Sequence, residues 1–433
     1  MNSMTPDEMN GIVSVITEAM EFLCKKDADG ELKEHLYLFE DIKNGLEFLA
    51  KANSKDSTND FIAATRGLIQ NLEYVMLGNE WEFSVIQISF DNWREVVTFE
   101  LAEKYFEKTD YIHATEGYVM LTAASHRELG TVAYHRLGQI HRVSDPMLAF
   151  DYYKQSFRNN NEVSKLFVAE DHPSFHYVYE EKKENYQSDC PFCHTEAQPY
   201  FCAESYRGLS YNKMYSPLKV WMHCSSCDHL FAFNNPSFLS ELKFDGVNFK
   251  MMTPKLGFLP TIGDNLKQLQ QYSHGNRLLD VGIGGGELLA VAKELMFDVE
   301  GLEIVEMQAN HIAEMLNIKV HACDFLKYVT DKKYDLITLG DVIEHIENPS
   351  ETIQKAYDLL DSNGVFWIST PNFHSAFSQF VKFEDAMWKE AGHLHYFSYT
   401  GLKYLLEQHN FAVINYKMSS HYRGSMEITA VKN

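Results

Sequence analysis

Basic residues are scarce in this sequence compared with acidic ones. Its 433 residues include 38 lysines and arginines against 61 aspartates and glutamates, so the formal net charge is −23 at pH 7 with histidine neutral. Such a charge repels the phosphate backbone of DNA or RNA, and no basic cluster offsets the repulsion locally. The composition therefore predicts a protein with no nucleic-acid partner.

Long apolar runs are missing as well. No run of 18 apolar residues occurs, and the first residues, MNSMTPDEMNG, have neither the basic segment nor the apolar core of a secretory signal. We therefore predict a cytoplasmic protein without a membrane span. Its 45% hydrophobic and 13% aromatic content is typical of a folded protein, and 433 residues favour two or three domains.

Helical periodicity dominates residues 1–165. Apolar residues recur at helical spacing in LYLFEDIKNGLEFLAKA and similar segments, which polar breaks such as NSKDSTND separate. Two stretches within this region, 101–121 and 137–157, have related patterns, and 36 positions separate their first leucines. This period resembles that of tetratricopeptide repeats, and an ordinary helical bundle is the alternative. Either arrangement predicts an all-α domain.

Four of the seven cysteines form two Cys-x-x-Cys pairs within the segment 166–248, with 30 residues between the pairs. Two such pairs place four thiolates about one zinc ion, which leaves no open coordination position and makes the site structural. Unligated buried cysteines and a redox pair are the alternatives, and Cys202 or His223 could replace one ligand. The predicted zinc ligands are Cys190, Cys193, Cys224 and Cys227.

Strand-like and helix-like segments alternate over residues 249–433. RLLDVGI, VEGLEI, KVHACD, YDLITLGDV, GVFWIST and FAVINYK are candidate strands, with helical stretches such as GELLAVAKELM between them. This order predicts an α/β, doubly wound, Rossmann-like parallel sheet that binds ligands at the carboxyl ends of its strands. The chain is therefore predicted to be multidomain: a helical domain at 1–165, a small zinc-ribbon-like module at 166–248, and the α/β domain at 249–433.

A glycine-rich loop follows the first of these strands, in RLLDVGIGGGELL (277–289). The dinucleotide spacing Gly-x-Gly-x-x-Gly fails, because its third glycine would fall on Glu287 or Leu289. A P-loop fails too, since no Gly-Lys-Ser or Gly-Lys-Thr follows. Asp280, two residues before Gly282, is unfavourable beside a pyrophosphate and favourable beside a cation.

The spacing that does occur is Asp-x-Gly-x-Gly-x-Gly, at Asp280, Gly282, Gly284 and Gly286. At these residues the chain resembles the class I S-adenosylmethionine-dependent methyltransferases, whose cofactor carries an ammonium and a sulfonium and no phosphate. The resemblance implies S-adenosylmethionine as the cofactor, with glycines that let the backbone approach it.

The resemblance continues to the carboxyl end, where the form Asp-x-x-Glu-His at 341–345 is similar to that of ubiquinone-type and sugar-type methyltransferases. It implies that Glu303 accepts hydrogen bonds from the ribose and that Asp324 meets the adenine amino group, with Phe325 beside the ring. The whole implied cofactor-binding set is Asp280, Gly282, Gly284, Gly286, Glu303, Ile304, Asp324, Phe325, Asp341 and Val342. Taken singly, each position has a structural alternative, such as a solvated carboxylate or a turn residue. Their order and spacing together favour the methyltransferase interpretation.

Methyl transfer to a hydroxyl or an acidic carbon needs a base, and histidine titrates near neutral pH. The candidates are His395, His393 and His345. We favour His395 or His393, because the segment HLHYFS should overhang the pocket, whereas His345 should orient the loop after the fourth strand. The alternative is that these histidines only pack the lid.

Cysteine pairs followed by this type of domain resemble methyltransferases that act on sugars, natural products and glycans. O-methylation of a sugar, a glycan or another small metabolite is therefore the leading hypothesis. A protein methyltransferase whose helical domain recruits a protein partner is the second, since helix-pair repeats commonly hold peptides. A non-catalytic scaffold is the third.

Overall fold

The structure is a computed structural model that describes residues 99, 102–103, 105–124, 126–205, 210–211, 213–236 and 253–433. Most of the predicted amino-terminal helices and the segment 237–252 lie outside these residues. Contacts divide the chain into two units. One comprises Met1–Ile140 with Asp151–Val163, and the other comprises His141–Phe150 with Ser164–Asn433.

In the part of the chain that the structure describes, the helices α1 (Tyr111–Leu121), α2 (Arg127–His141) and α3 (Pro146–Asn159) precede the cysteine-containing segment. Asp110 caps α1, because its side chain accepts a hydrogen bond from the backbone N–H of His113. Within the first unit, a Cβ added at Gly138 would lie 2.7 Å from Cγ of Tyr153. The glycine therefore permits α2 and α3 to pack closely. The tetratricopeptide assignment and the domain boundaries remain predictions.

The cysteine pairs flank strands of a four-stranded antiparallel sheet in the second unit. Its spatial order is β11–β4–β3–β2, from β2 (Gln198–Glu204), β3 (Leu218–Cys224), β4 (His229–Ala232) and β11 (His395–Phe397). A separate short ribbon pairs β1 (Glu184–Tyr186) with β5 (Asn234–Pro236). Strand β11 comes from the HLHYFS segment and pairs with β4 over His395–Phe397 and His229–Phe231. A strand from the carboxyl-terminal part of the chain thus completes the cysteine-containing sheet.

The large sheet has seven strands in the order β12–β13–β10–β9–β6–β7–β8. They are β6 (Arg277–Val281), β7 (Asp298–Glu303), β8 (Lys319–Ala322), β9 (Tyr334–Gly340), β10 (Leu360–Pro371), β12 (Phe411–Met418) and β13 (Ser425–Lys432). Strands β6 to β10 pair in parallel, whereas β13 runs antiparallel to both of its neighbours. The doubly wound, Rossmann-like fold is confirmed, but the sheet is mixed and not purely parallel. Sequence reasoning did not identify β13 as a strand.

Helices cover both faces of the large sheet. They are α4 (Leu259–Tyr272), α5 (Glu287–Glu294), α6 (Glu306–Leu316), α7 (Pro349–Leu359), α8 (Ala376–Val381) and α9 (Tyr399–Gln408). Two buried apolar clusters fill the layers, one containing Leu289 of α5 and Ile312 of α6, the other containing Ile353 of α7 and Leu402 of α9. Parallel strands buried on both faces explain the near-continuous apolar runs of the sequence. Within the described part of the chain, no helix has the length and apolar character needed to cross a membrane.

Candidate active site

The glycine loop turns sharply out of β6. Gly282, Gly284 and Gly286 all have positive φ angles, of 76°, 53° and 86°. Residues with a Cβ rarely adopt this conformation. Gly286 is the N-cap of α5, so the loop presents bare backbone and a helix N-terminus at the carboxyl edge of the sheet.

Replacing Gly282 with alanine should weaken cofactor binding. A Cβ at this position would lie 2.4 Å from Cγ2 of Val342, in a backbone conformation that is strained for alanine. We expect affinity for S-adenosylmethionine to fall by at least about tenfold, since the loop or Val342 must move. Isothermal titration calorimetry measures the effect. Gly257→Ala is the matched control because its added Cβ meets nothing within 4 Å; equal affinity in the two variants would exclude a role for the loop.

Asp280 lies at the end of β6 and is only 3% exposed. Its carboxylate accepts a hydrogen bond from Oγ1 of Thr338 at 2.7 Å. Burial nevertheless raises the pKa of Asp280 to about 7. No cation is paired with this carboxylate among the described residues, so it suits a cationic ligand.

The raised pKa of Asp280 predicts that cofactor binding depends on pH. If only the ionised carboxylate holds the cationic cofactor, affinity should rise about tenfold between pH 6 and pH 8. The ligand-free protein should show the opposite trend: stability from this group is present below pH of about 4 and is lost as pH rises through about 7. Calorimetry and thermal unfolding of Asp280→Asn check both trends. A wild-type pH dependence that survives in this variant would assign the effect to another group.

The ends of β7 and β8 carry the next predicted residues. Glu303 is half-buried, and burial raises its pKa although backbone N–H groups of Val305, Ile304 and Ile283 lower it. The contact with Ile283 brings the Glu303 carboxylate to the glycine loop, whereas the Ile304 side chain is exposed. After β8, Asp324 accepts a hydrogen bond from the backbone N–H of Leu326 at 2.8 Å. Phe325 beside it is buried in the core.

Asp341 and Val342 begin the loop after β9. Asp341 has a φ of 55°, and its Oδ1 accepts hydrogen bonds from the hydroxyls of Ser369 and Tyr422, each at 3.1 Å. Val342 packs against Gly282, as the close approach of its Cγ2 shows. The loop after β9 therefore adjoins the glycine loop on one side.

A cleft of about 650 Å³ opens beside this loop. Asp341 lines the cleft and also belongs to the predicted cofactor-binding set. The other lining residues are His172, Glu344, His345, Glu384, Ala386, Met387, Lys389, Glu390, His393 and Tyr422. The cleft thus starts where the predicted cofactor site ends, which is the position that a methyl acceptor needs.

The three candidate histidines occupy different positions. His393 lines the cleft, is 6% exposed, and its Nδ1 has no hydrogen-bond partner within the described ranges. Burial, the neighbouring His345 and Lys219 hold the pKa of His393 well below its usual value. His345 also lines the cleft, and its Nδ1 is 2.9 Å from the carbonyl oxygen of Gly392.

His395 does not line this cleft. Its Nδ1 lies 3.1 Å from Nε2 of His229, and its Nε2 lies 2.9 Å from the carbonyl oxygen of Ile346. Both ring nitrogens are therefore engaged, and burial holds the pKa of His395 well below its usual value. The structure brings His393 and His345 together, with ring centroids 4.7 Å apart, and places His395 within the cysteine-containing sheet.

Glu344 forms the floor of the cleft and is 1% exposed. Burial, followed by the charge of Asp341, raises the pKa of Glu344 well above its usual value, although Oγ1 of Thr370 donates to its Oε2 at 3.0 Å. One donor atom each from Glu344, His345 and His393 lie within 4.8 Å of one another. This set could hold a divalent cation or a polar group of a ligand.

Lys219 of β3 supports the cleft from behind. It is 4% exposed, and its Nζ donates to the carbonyl oxygens of Glu390, Ala391 and His393 at 2.7, 3.1 and 2.5 Å. Burial lowers the pKa of Lys219 to about 7. Three carbonyl acceptors match the three donors of an ammonium group, so Lys219 ties the cysteine-containing sheet to the turn that carries His393.

The four predicted zinc ligands lie together. Sγ atoms are 3.4 Å apart for Cys190 and Cys227 and for Cys193 and Cys224, and donor atoms of all four lie within 4.8 Å of one another. Tetrahedral zinc with bonds of about 2.3 Å holds its sulfur atoms about 3.8 Å apart, so the cluster fits this ion. Cys202, in β2, is not part of the cluster.

Sequence reasoning did not select Glu344, Tyr422, Lys219 or His172 as site residues. Glu344 had a signal, since it lies within the Asp-x-x-Glu-His segment. The other three have no such signal in their local sequence. His172 reaches the cleft from the segment before β1, Tyr422 reaches it from the turn between β12 and β13, and Lys219 supports it from β3.

Residues 258–416 match a protein family described as a methyltransferase domain. Together with the strand order and the glycine loop, this match identifies the region as a class I S-adenosylmethionine-dependent methyltransferase domain.

Two curated relatives are named ubiquinone biosynthesis O-methyltransferase. The protein from Glaesserella parasuis serovar 5 (strain SH0165) is 35% identical over 113 residues, which cover 23% of this chain and 46% of the relative. The protein from Histophilus somni (strain 2336) is 32% identical over 121 residues, covering 25% of this chain and 51% of the relative. The match thus spans about half the length of these relatives.

Among solved structures, magnesium protoporphyrin IX methyltransferase from Synechocystis PCC 6803 with bound S-adenosylhomocysteine is similar at a TM-score of 0.35 and 18% identity. The match covers 41% of this chain and 84% of that one. A methyltransferase from Archaeoglobus fulgidus has a TM-score of 0.34 and 19% identity, with coverage of 40% and 94%.

Proposed function

We propose that this protein is an S-adenosylmethionine-dependent methyltransferase that O-methylates a small molecule, with a sugar, a glycan or another small metabolite as the acceptor. The observation that carries the proposal is the cleft that adjoins the glycine loop at Asp341 and holds the unpaired Nδ1 of His393. The cofactor residues suit S-adenosylmethionine, because Asp280 and Glu303 supply acidic groups and the glycines supply bare backbone.

S-adenosylmethionine, when bound, supplies a methyl group activated by a sulfonium. The chain's own contribution is to hold the acceptor hydroxyl and to remove its proton. His393 is suited to the second task, since its lowered pKa keeps the ring neutral at pH 7 and Nδ1 is available as an acceptor when Nε2 carries the ring proton. His345 and Glu344 lie beside His393, where they can orient the acceptor.

We further propose that Cys190, Cys193, Cys224 and Cys227 hold a structural zinc ion, as their spacing in the structure favours. Its role is to order the small sheet that contributes β11 and Lys219. The helical region 1–165 remains a candidate for binding a protein partner, and most of it lies outside the described residues.

The test of the proposed function is transfer of a labelled methyl group from S-adenosylmethionine into an extract of the source cell. Label in small molecules, or in a fraction sensitive to glycosidase, is the expected result. Label released only by protease would replace the proposal with protein methylation through the helical region. A protein that binds no S-adenosylmethionine at millimolar concentration would be a scaffold.

A further inference from the structure

The charges that line the cleft are predominantly negative. Four carboxylates face it, from Asp341, Glu344, Glu384 and Glu390, against a single lysine, Lys389. Lys389 is itself paired, since its Nζ lies 3.2 Å from Oε2 of Glu384. An acceptor that carries a phosphate or a carboxylate would therefore be repelled.

Among the residues that line the cleft, the positive charge lies on the exposed side, and the buried ammonium of Lys219 behind the cleft is engaged by three backbone carbonyls. The Glu384 side chain is 64% exposed, and it contacts both Lys389 and Arg142, the latter at 3.2 Å. Glu344, in contrast, is 1% exposed, and no lysine or arginine pairs with it or with Asp341 among the described residues. Burial and the charge of Asp341 raise the pKa of Glu344 well above its usual value, so a cationic ligand between the two carboxyl groups would favour the ionised form of Glu344.

The buried side also presents hydrogen-bond acceptors. Carboxylate oxygens of Glu344 and Asp341 only accept when ionised. His393 is 6% exposed, and its Nδ1 atom, which has no hydrogen-bond partner among the described residues, accepts when Nε2 carries the ring proton. One donor atom of His393 lies within 4.8 Å of a Glu344 oxygen. An ammonium group, with one positive charge and up to three N–H donors, complements this arrangement.

We infer that the methyl acceptor carries a protonated amine, which binds between Glu344 and Asp341 and leaves Nδ1 of His393 free to take the proton of the methylated group. The inference rests on the proposed function, because it names the chemical class of the acceptor in the same cleft. The methyl group passes from the sulfonium to a hydroxyl oxygen of this acceptor, the hydroxyl proton goes to Nδ1 of His393, and S-adenosylhomocysteine is the second product.

The experiment separates the small-molecule fraction of the source extract after transfer of labelled methyl groups by the full-length protein. We expect a labelled species distinct from S-adenosylmethionine, which is itself cationic, to be retained on a cation exchanger at neutral pH and to be absent from a reaction without the protein. Treating the extract beforehand with an N-hydroxysuccinimide ester of acetic acid, which acetylates amines in preference to hydroxyls, should reduce incorporation by at least about tenfold relative to a mock-treated extract. Label retained on an anion exchanger, or incorporation that acetylation leaves unchanged, would overturn the inference while leaving the proposed function intact. Absence of label from every fraction would instead remove the proposed function itself.

A substitution at Glu344 tests whether the amine of the acceptor binds there. Glu344→Gln should raise KM for the active fraction by about 10- to 100-fold, the effect of losing one charge-assisted hydrogen bond, and leave S-adenosylmethionine affinity unchanged. Glu407→Gln is the matched control, because Glu407 pairs with Lys403 on the surface of α9. Unchanged KM in Glu344→Gln would overturn the assignment. A second result would also overturn the assignment: the product is uncharged, and dialysis of the protein against EDTA abolishes turnover. That result would assign Glu344, His345 and His393 to a metal ion.

Discussion

His393→Asn should reduce methyl transfer by about 100- to 10,000-fold and leave the affinity for S-adenosylmethionine unchanged. The reason is that Nδ1 of His393 is the unpaired acceptor that faces the cleft, and an asparagine cannot take up a proton there. Asparagine keeps a polar atom near the position of Nδ1, so the variant preserves packing better than alanine would. The measurement combines initial rates on the active fraction of the extract with a cofactor titration.

The pH profile separates a base from a packing residue. The pKa of His393 lies well below its usual value because of burial, so the ring is neutral and basic throughout the neutral range. Wild-type turnover limited by His393 should therefore persist at pH 6 and decline only at lower pH. His311→Gln, on the exposed face of α6, is the control. A fully active His393→Asn variant would remove His393 from the mechanism and return attention to His345.

Cys224→Ser should release the metal and unfold the small sheet. We expect zinc content of about one per chain in the wild type and none in the variant, with a loss of stability of several kcal/mol, since the binding energy of a structural zinc is folding energy. Elemental analysis and thermal unfolding measure the two effects. Cys202→Ala is the matched control, because Cys202 is equally buried in β2 but lies outside the cluster.

Loss of the metal should also destabilise the segment that lines the cleft. Nδ1 of His229 lies 3.8 Å from Sγ of Cys190, and His229 contacts His395, which in turn contacts the Ile346 carbonyl after β9. Hydrogen exchange in residues 389–397 should therefore accelerate in Cys224→Ser, while that of the glycine loop changes less. A metal-free protein that melts at the same temperature as the wild type would exclude a structural zinc site.

Local spacing was sufficient to predict the large sheet and the glycine loop. Strands buried on both faces must be apolar runs, and helices between them show a period near 3.6, so β6 to β10 could be read from the sequence. Positive φ angles at Gly282, Gly284 and Gly286 require glycine, which is why the loop has a recognisable spacing. Strand β13 was missed. Its sequence, SMEITAVK, gives no sign that it inserts between β12 and β10 and runs antiparallel to both.

The sequence by itself determined the class of this protein: an acidic chain with a methyltransferase-type domain, two cysteine pairs and several candidate bases. Only the tertiary structure decided which histidine faces the cleft. His393 and His395 are two residues apart, and β11 pairs with β4 so that His395 is engaged by His229, whereas His393 lies at the preceding turn, held by Lys219. Local sequence cannot encode this difference, because the partners that decide it are more than 160 positions away along the chain.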